Sequence, residues 1–266
     1  MAVPGPPDLA RLHAKELPQK DHLCGAFWGA LALQAAGFRE ADGGPVDQDL
    51  VALRAGTTIA PGDDDALPPG ASPRVDYRLE LEQGEPATSG TAASGLARAV
   101  GELSGGRLAV VPVAGPWTAE SVVGLAEGVA AAARDATLVA NLRTGRLWGT
   151  SPPAAALVAY LAGEAVVGPP SEWDVGHFVT LAAVLSGPGG ALVCVRDTYP
   201  TLGWGGYHLQ PAGVVAAALE RGDGREGGVL CIAPAEAAAA LRERLAEAGY
   251  ELRLWDNGSA DRLEEA

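Results

Sequence analysis

The sequence predicts an α+β fold, and three observations carry that prediction. Alanine-rich segments opened by Pro, Asp or Ser and closed by Gly read as helices. Short aliphatic runs bounded by Gly, Pro and Ser read as strands. The two kinds also segregate, with a helical front half and a strand-rich back half, an order that suits α+β rather than regularly alternating α/β.

From the N-terminus, Pro6 and Pro7 open a short helix over about 7–17, since proline in the first turn sacrifices no hydrogen bond. Pro18 stops it and leads into a loop at Gln19. A second helix is expected over about 22–36, with Asp21 as N-cap and Gly37 as its stop. Another short helix covers 47–55. Residues 60–73 are rich in Pro, Gly and Asp and read as a surface loop, in which the run 63–65 is a solvated acidic turn rather than a metal site. Residues 77–81 alternate like a strand. Then come helix 94–103, strand 108–113, helix 118–134, strand 137–142 and a helix from Ser151 to near Gly163. Strands 176–185 and 191–197 flank a Ser-Gly-Pro-Gly-Gly turn. Helix 212–220, strand 228–232, helix 234–248 and strand 251–255 complete the pattern. No internal repeat is visible.

At 266 residues, with 48% hydrophobic and 20% charged side chains, the chain suits one domain over 1–266 with a sizeable core. A net charge of -14 argues against nucleic acid or an anionic membrane as partner. No basic segment followed by an apolar one marks a secretory signal, and no apolar stretch is long enough to span a bilayer. Cys24, Cys194 and Cys231 are odd in number and widely spaced, which fits neither a disulfide framework nor a zinc site. A cytoplasmic protein with no cofactor and no metal is the expectation.

The chemistry points to Cys24. It falls in the first turn of the expected 22–36 helix, where unpartnered N–H groups favour a thiolate. His177 opens one strand and Asp197 closes the next, so across a hairpin the two lie opposite or diagonal on one face. An aspartate there orients an imidazole for base catalysis. Gln19, just ahead of Cys24, carries an amide able to donate to an oxyanion together with the Cys24 N–H. Cys194 and Cys231 lie inside apolar strand patterns and read as small buried hydrophobes. His22 does not face Cys24 on its own helix, His13 has no adjacent carboxylate pattern, and His208 is kept as a substitute base lining a cleft.

Gln-x(4)-Cys-Gly at a helix start, Gly-His-Phe-Val opening a strand, and Arg-Asp-Thr-Tyr-Pro after the next strand resemble the papain-like cysteine peptidase superfamily. The nearest branch is the bacterial double-glycine leader peptidases that mature bacteriocins, where Gln, Cys, His and Asp occur in this order. The Pro-Gln-Lys-Asp and Gly-His-Phe signatures also resemble those of an uncharacterised bacterial family. The likeness covers about 15–37 and 174–233, and the segment 38–150 is an elaboration outside it. It implies Cys24 as nucleophile, His177 as base, Asp197 as its orienter and Gln19 as oxyanion donor. The spacing from Gln19 to Cys24 is one residue shorter than usual in those families, and the stretch from Cys24 to His177 is far longer than in the leader peptidases.

The function expected is hydrolysis of a peptide or amide bond by a Cys-His-Asp triad, in peptide maturation, with a peptide or small protein as substrate. Two alternatives stand beside it: acyl transfer or peptide crosslinking by the same residues, and a non-catalytic peptide-binding module. Trp28, Trp173, Trp204 and Tyr207 cluster in sequence around the catalytic candidates and are expected to line a substrate groove.

Overall fold

A computed structural model describes residues 5–62 and 67–261, so the acidic run 63–65 lies outside the described residues. The helices are α1 (Leu9–Glu16), α2 (Cys24–Ala35), α3 (Gln48–Arg54), α4 (Ala93–Leu103), α5 (Ala119–Ala132), α6 (Ala154–Ala162), α7 (Ala212–Leu219) and α8 (Ala238–Glu247). Two minor pairs, β1 (Glu40–Ala41) with β2 (Gly44–Pro45) and β3 (Thr58–Ile59) with β4 (Glu82–Gln83), precede the main strands. These are β5 (Leu108–Val113), β6 (Thr137–Arg143), β7 (Gly176–Gly187), β8 (Gly190–Arg196), β9 (Tyr207–Pro211) and β10 (Gly228–Pro234). They form one six-stranded antiparallel sheet in the order β5-β10-β6-β7-β8-β9, and the architecture is mixed α+β.

Strand alternation explains the layering. Val229 and Cys231 face one side of β10, and Leu230 and Ile232 the other. The first side packs with Leu138, Ala140, Val193 and Val195 against α5, α7 and α8. The second packs with Val139 and Phe178 against α1 to α4. Helix α2 is apolar nearly all round, which fits its burial between the sheet and its neighbouring helices. Its Trp28 is completely buried and donates Nε1–H to the Phe178 carbonyl of β7 at 3.0 Å. Local signals set other helix ends: Asp47 caps α3 by accepting from Leu50 N at 3.0 Å, and Thr118 and Ser121 form a capping box on α5.

Several expectations are corrected. Helix α2 begins at Cys24, not at residue 22, and Asp21 is not its cap. His22 takes a left-handed conformation at φ 64, which interrupts the helix, and the Asp21 carboxylate accepts from Arg74 N instead. Residues 77–81 form no strand. The chain around them spends its backbone groups elsewhere: Arg78 N donates to the Asp49 carboxylate, and the Asp76 carbonyl accepts from Lys20 Nζ. Residues 251–255 also join no strand; Glu251 exchanges two hydrogen bonds with Ala114 and Gly115, and Trp255 then turns into the core. Conversely β9 was not expected, and β5 and β6 carry the segment 38–150 into the main sheet. Among the described residues, no helix is long and apolar enough to cross a membrane.

Candidate active site

The start of α2 lies against the start of β7 because Gly25 has no side chain. A Cβ there would meet Thr91 Cβ at 2.9 Å and the Phe178 ring at 3.2 Å. Cys24, the residue before it, is half-buried at the first position of the helix. The loop ahead of it is pinned residue by residue. Gln19 N donates to the Thr198 carbonyl at 3.1 Å, and Lys20 Nζ forms a buried ion pair with Asp49 at 2.6 Å.

The β7–β8 hairpin supplies the other side. Thr180 pairs with Arg196, and a bulge interrupts the ladder between Leu181 and Ala183, in mid-strand rather than in the turn. Asp197 continues past Arg196 and lies diagonal to His177, whose Nε2 is 3.1 Å from Asp197 Oδ1. Both side chains are buried.

Thr198 ties these groups together. Its Oγ1 donates to Gln19 Oε1 at 2.6 Å and lies 3.2 Å from His177 Nε2. With its proton given to Gln19, the hydroxyl accepts from the ring, so Nε2 carries a proton shared with Asp197. The Thr198 N–H also donates to Asp197 Oδ1 at 2.7 Å. Burial opposes charge on His177, but the Asp197 charge and hydrogen bond, together with Cys24, outweigh it and raise the pKa to about 10. Burial likewise opposes charge on Asp197, yet His177 and then His208 hold its carboxyl well below the usual range. Burial raises the pKa of Cys194 and pushes that of Cys231 up to about 12.

Gln19, Cys24 and His177 open onto one cavity of about 570 Å³. Trp173 lines it and meets the His177 ring edge-on at 4.7 Å. The other three aromatic expectations are corrected, since none of them lines this cavity. Trp28 is sealed in the core, where it stacks on His13. Tyr207 packs edge-on against His13 and under the Arg196 guanidinium. Trp204 stands 60% exposed in a glycine-rich turn. His208 does not line the cavity either: it is buried behind Asp197, with Nε2 at 3.6 Å from Oδ2 and Nδ1 beside Gln210. His13, dismissed for lack of a nearby carboxylate, bonds through Nε2 to the Asp197 carbonyl at 2.6 Å.

Sequence reasoning missed Thr198 and Tyr199, although both sit in the Arg-Asp-Thr-Tyr-Pro run beside Asp197. Tyr199 is buried, stacks with His177 at 6.2 Å and lines the cavity. Burial, then the nearby charges of Cys24, Asp21 and Asp197, raise its pKa and keep the phenol neutral. Also missed were Asn141, Arg143, Arg221, Arg225 and Asn257, which line the far end of the cavity and had no local sequence signal. Among the described residues, no group of three or more His, Cys, Asp or Glu side chains is placed to hold a metal ion.

Comparison with known proteins gives three findings. A digestive procathepsin L 3 of Tenebrio molitor larval midgut is similar in structure at a TM-score of 0.30 and 16% sequence identity, over 88% of this chain and 66% of that one. No curated protein matches the chain. Residues 3–256 match DUF6885, described as a family of unknown function, and the chain therefore belongs to that family.

Proposed function

We propose that this protein is a cysteine-dependent hydrolase of peptide or amide bonds, with a papain-like arrangement of Cys24, His177, Asp197 and Gln19. One observation carries the reading. His177 Nε2–H is held by Asp197 and Thr198, which leaves Nδ1 over, and Cys24 and His177 open onto the same cavity. In the proposed reaction the imidazole, oriented by the carboxylate, takes the thiol proton and leaves the attacking thiolate beside an imidazolium.

The thiolate attacks the substrate carbonyl carbon, and a C–S bond forms as the oxygen takes up negative charge. Gln19, whose Oε1 is fixed by Thr198, presents its amide N–H groups to that oxygen together with the Cys24 N–H. The C–N bond breaks as His177 gives its proton to the leaving amine. Water then attacks the acyl-enzyme, with His177 taking its proton, and the acid and free thiolate are released. The substrate is a peptide or small protein, admitted through the cavity that Cys24 lines.

Alkylation by iodoacetamide across pH, read by peptide mass spectrometry, tests the activation. Cys24 is expected to react at least tenfold faster than Cys194 near neutral pH, with Cys231 inert. Equal rates at Cys24 and Cys194 would sink the reading.

A further inference from the structure

The cavity that holds Cys24 extends to a second cluster built around Arg221. This side chain is almost fully buried, and its Nη1 donates to Asn141 Oδ1 at 3.0 Å and to the Asn257 carbonyl at 3.3 Å. Its Nε and Nη2 grip Asp223 at 3.1 and 2.7 Å. Arg143 reaches the same carboxylate at 3.3 Å, and Arg225 N does so at 3.4 Å. A Cβ on Gly176, the residue before His177, would meet the Arg221 guanidinium at 2.7 Å, so the cluster abuts the reactive centre.

The hydrogen-bond ledger of this end is lopsided. Both Asp223 oxygens are already taken by Arg221, and each accepts a further bond from Arg143 or Arg225. Asp174 is occupied by Arg143 Nε at 2.6 Å. The Asn141 and Asn257 carbonyl oxygens of the side chains accept from Arg221 and Ala93 N. The donors are not used up. Asn141 is nearly fully buried and lines the cavity, yet its Nδ2 has no partner among the described residues. Arg143 Nη2 and the Nε and Nη1 of Arg225 likewise make no hydrogen bond among those residues. A cavity wall whose Asp223 and asparagine oxygens are engaged while charged donors remain is matched by an anion with two acceptor oxygens. In a chain of net charge -14, such a wall is local rather than a property of the whole surface.

We infer that Asn141, Arg143 and Arg225, on the scaffold of Arg221, bind a carboxylate of the substrate, so that the hydrolase acts on acidic peptides. This rests on the proposed reaction for its meaning, but not for its test. The source of the carboxylate is an acidic side chain or a free C-terminus, and the test separates them.

The full-length Cys24→Ala protein is titrated calorimetrically with three acetylated tripeptides. One has a central glutamate and an amidated end, one has glutamine in its place, and one has glutamine with a free C-terminal carboxylate. At least one carboxylate peptide is expected to bind roughly tenfold tighter than the blocked glutamine peptide. That ratio should collapse towards one in Arg225→Gln and in Arg143→Gln, each checked for an unchanged thermal midpoint. Which carboxylate peptide wins names the source. Equal affinity for all three, binding of none up to millimolar concentration, or a preference that survives both substitutions overturns the inference. Because no thiol chemistry is read, a carboxylate preference with an unreactive Cys24 would count against the hydrolase alone.

Discussion

The two ends of the Cys24 cavity use similar polar side chains and leave them in different states. At the Cys24 end, Gln19 Oε1, His177 Nε2, Asp197 Oδ1 and Thr198 are locked to one another by hydrogen bonds. At the arginine end both Asp223 oxygens are engaged while N–H donors remain over. In the proposed reading the difference follows from what each end would do, one reacting and the other binding. A site that stabilises charge developing during a reaction works best with its dipoles fixed beforehand. A site that recognises a ligand keeps donors for the ligand to complete.

The comparison breaks most easily at the thiol. Cys24→Ala is expected to lower turnover of an activated ester such as p-nitrophenyl acetate by about a thousandfold, and His177→Ala by a similar factor. Turnover that persists in Cys24→Ala would assign the ester hydrolysis to another group.

The next effect concerns pH. Burial lowers the pKa of His13 to about 4, so this histidine is neutral in the folded chain. A depressed folded value means that its contribution is present above about 6.5 and lost as pH falls towards 4, roughly 3 kcal/mol in all. His177 has the opposite sign. Its contribution is full below about 6.5 and disappears as pH rises through about 10. Urea unfolding at pH 7 and at pH 4.5 should therefore show a clear loss that is absent in His13→Gln, whereas the alkaline loss should be absent in His177→Gln.

Arg221→Gln sharpens the contrast within the arginine end. It removes a buried guanidinium from Asp223 and Asn141, and unfolding midpoints should report a loss of about 2 kcal/mol. Arg225→Gln, at the rim, should stay within about 0.5 kcal/mol.

Among the predicted effects on turnover, the smallest is expected at Thr198. Thr198→Val removes the hydroxyl that orients Gln19 and accepts from His177, and kcat should fall about tenfold with KM little changed. Thr198→Ser should restore it. Equal losses in both variants would point to packing rather than to hydrogen bonding.

Local signals determined much of this protein. Proline, glycine and aliphatic alternation located the strands at 108–113 and 137–142 and the helices at 94–103 and 118–134, because backbone geometry and side-chain burial act over a few residues. The meeting of His177 with Asp197 and the place of Cys24 in the first turn of α2 were legible for the same reason, each residue standing at the end of a readable element. Tertiary structure decided the rest. The His22 conformation, which starts α2 at Cys24, accompanies a loop fixed by Lys20, Asp49 and Arg74, and no nearest-neighbour rule encodes those contacts. Trp28 and Tyr207 stand near the candidate residues in sequence, but both pack against His13, which bonds to the Asp197 carbonyl, and neither lines the cavity as Trp173 and Tyr199 do. The arginine end was invisible because its residues come from three stretches far apart in sequence: Asn141 and Arg143 on β6, Arg221 and Arg225 between α7 and β10, and Asn257 near the end of the described chain. Only the antiparallel pairing of β6 with β7, and the return of the chain after α7 and β10, bring them to one wall.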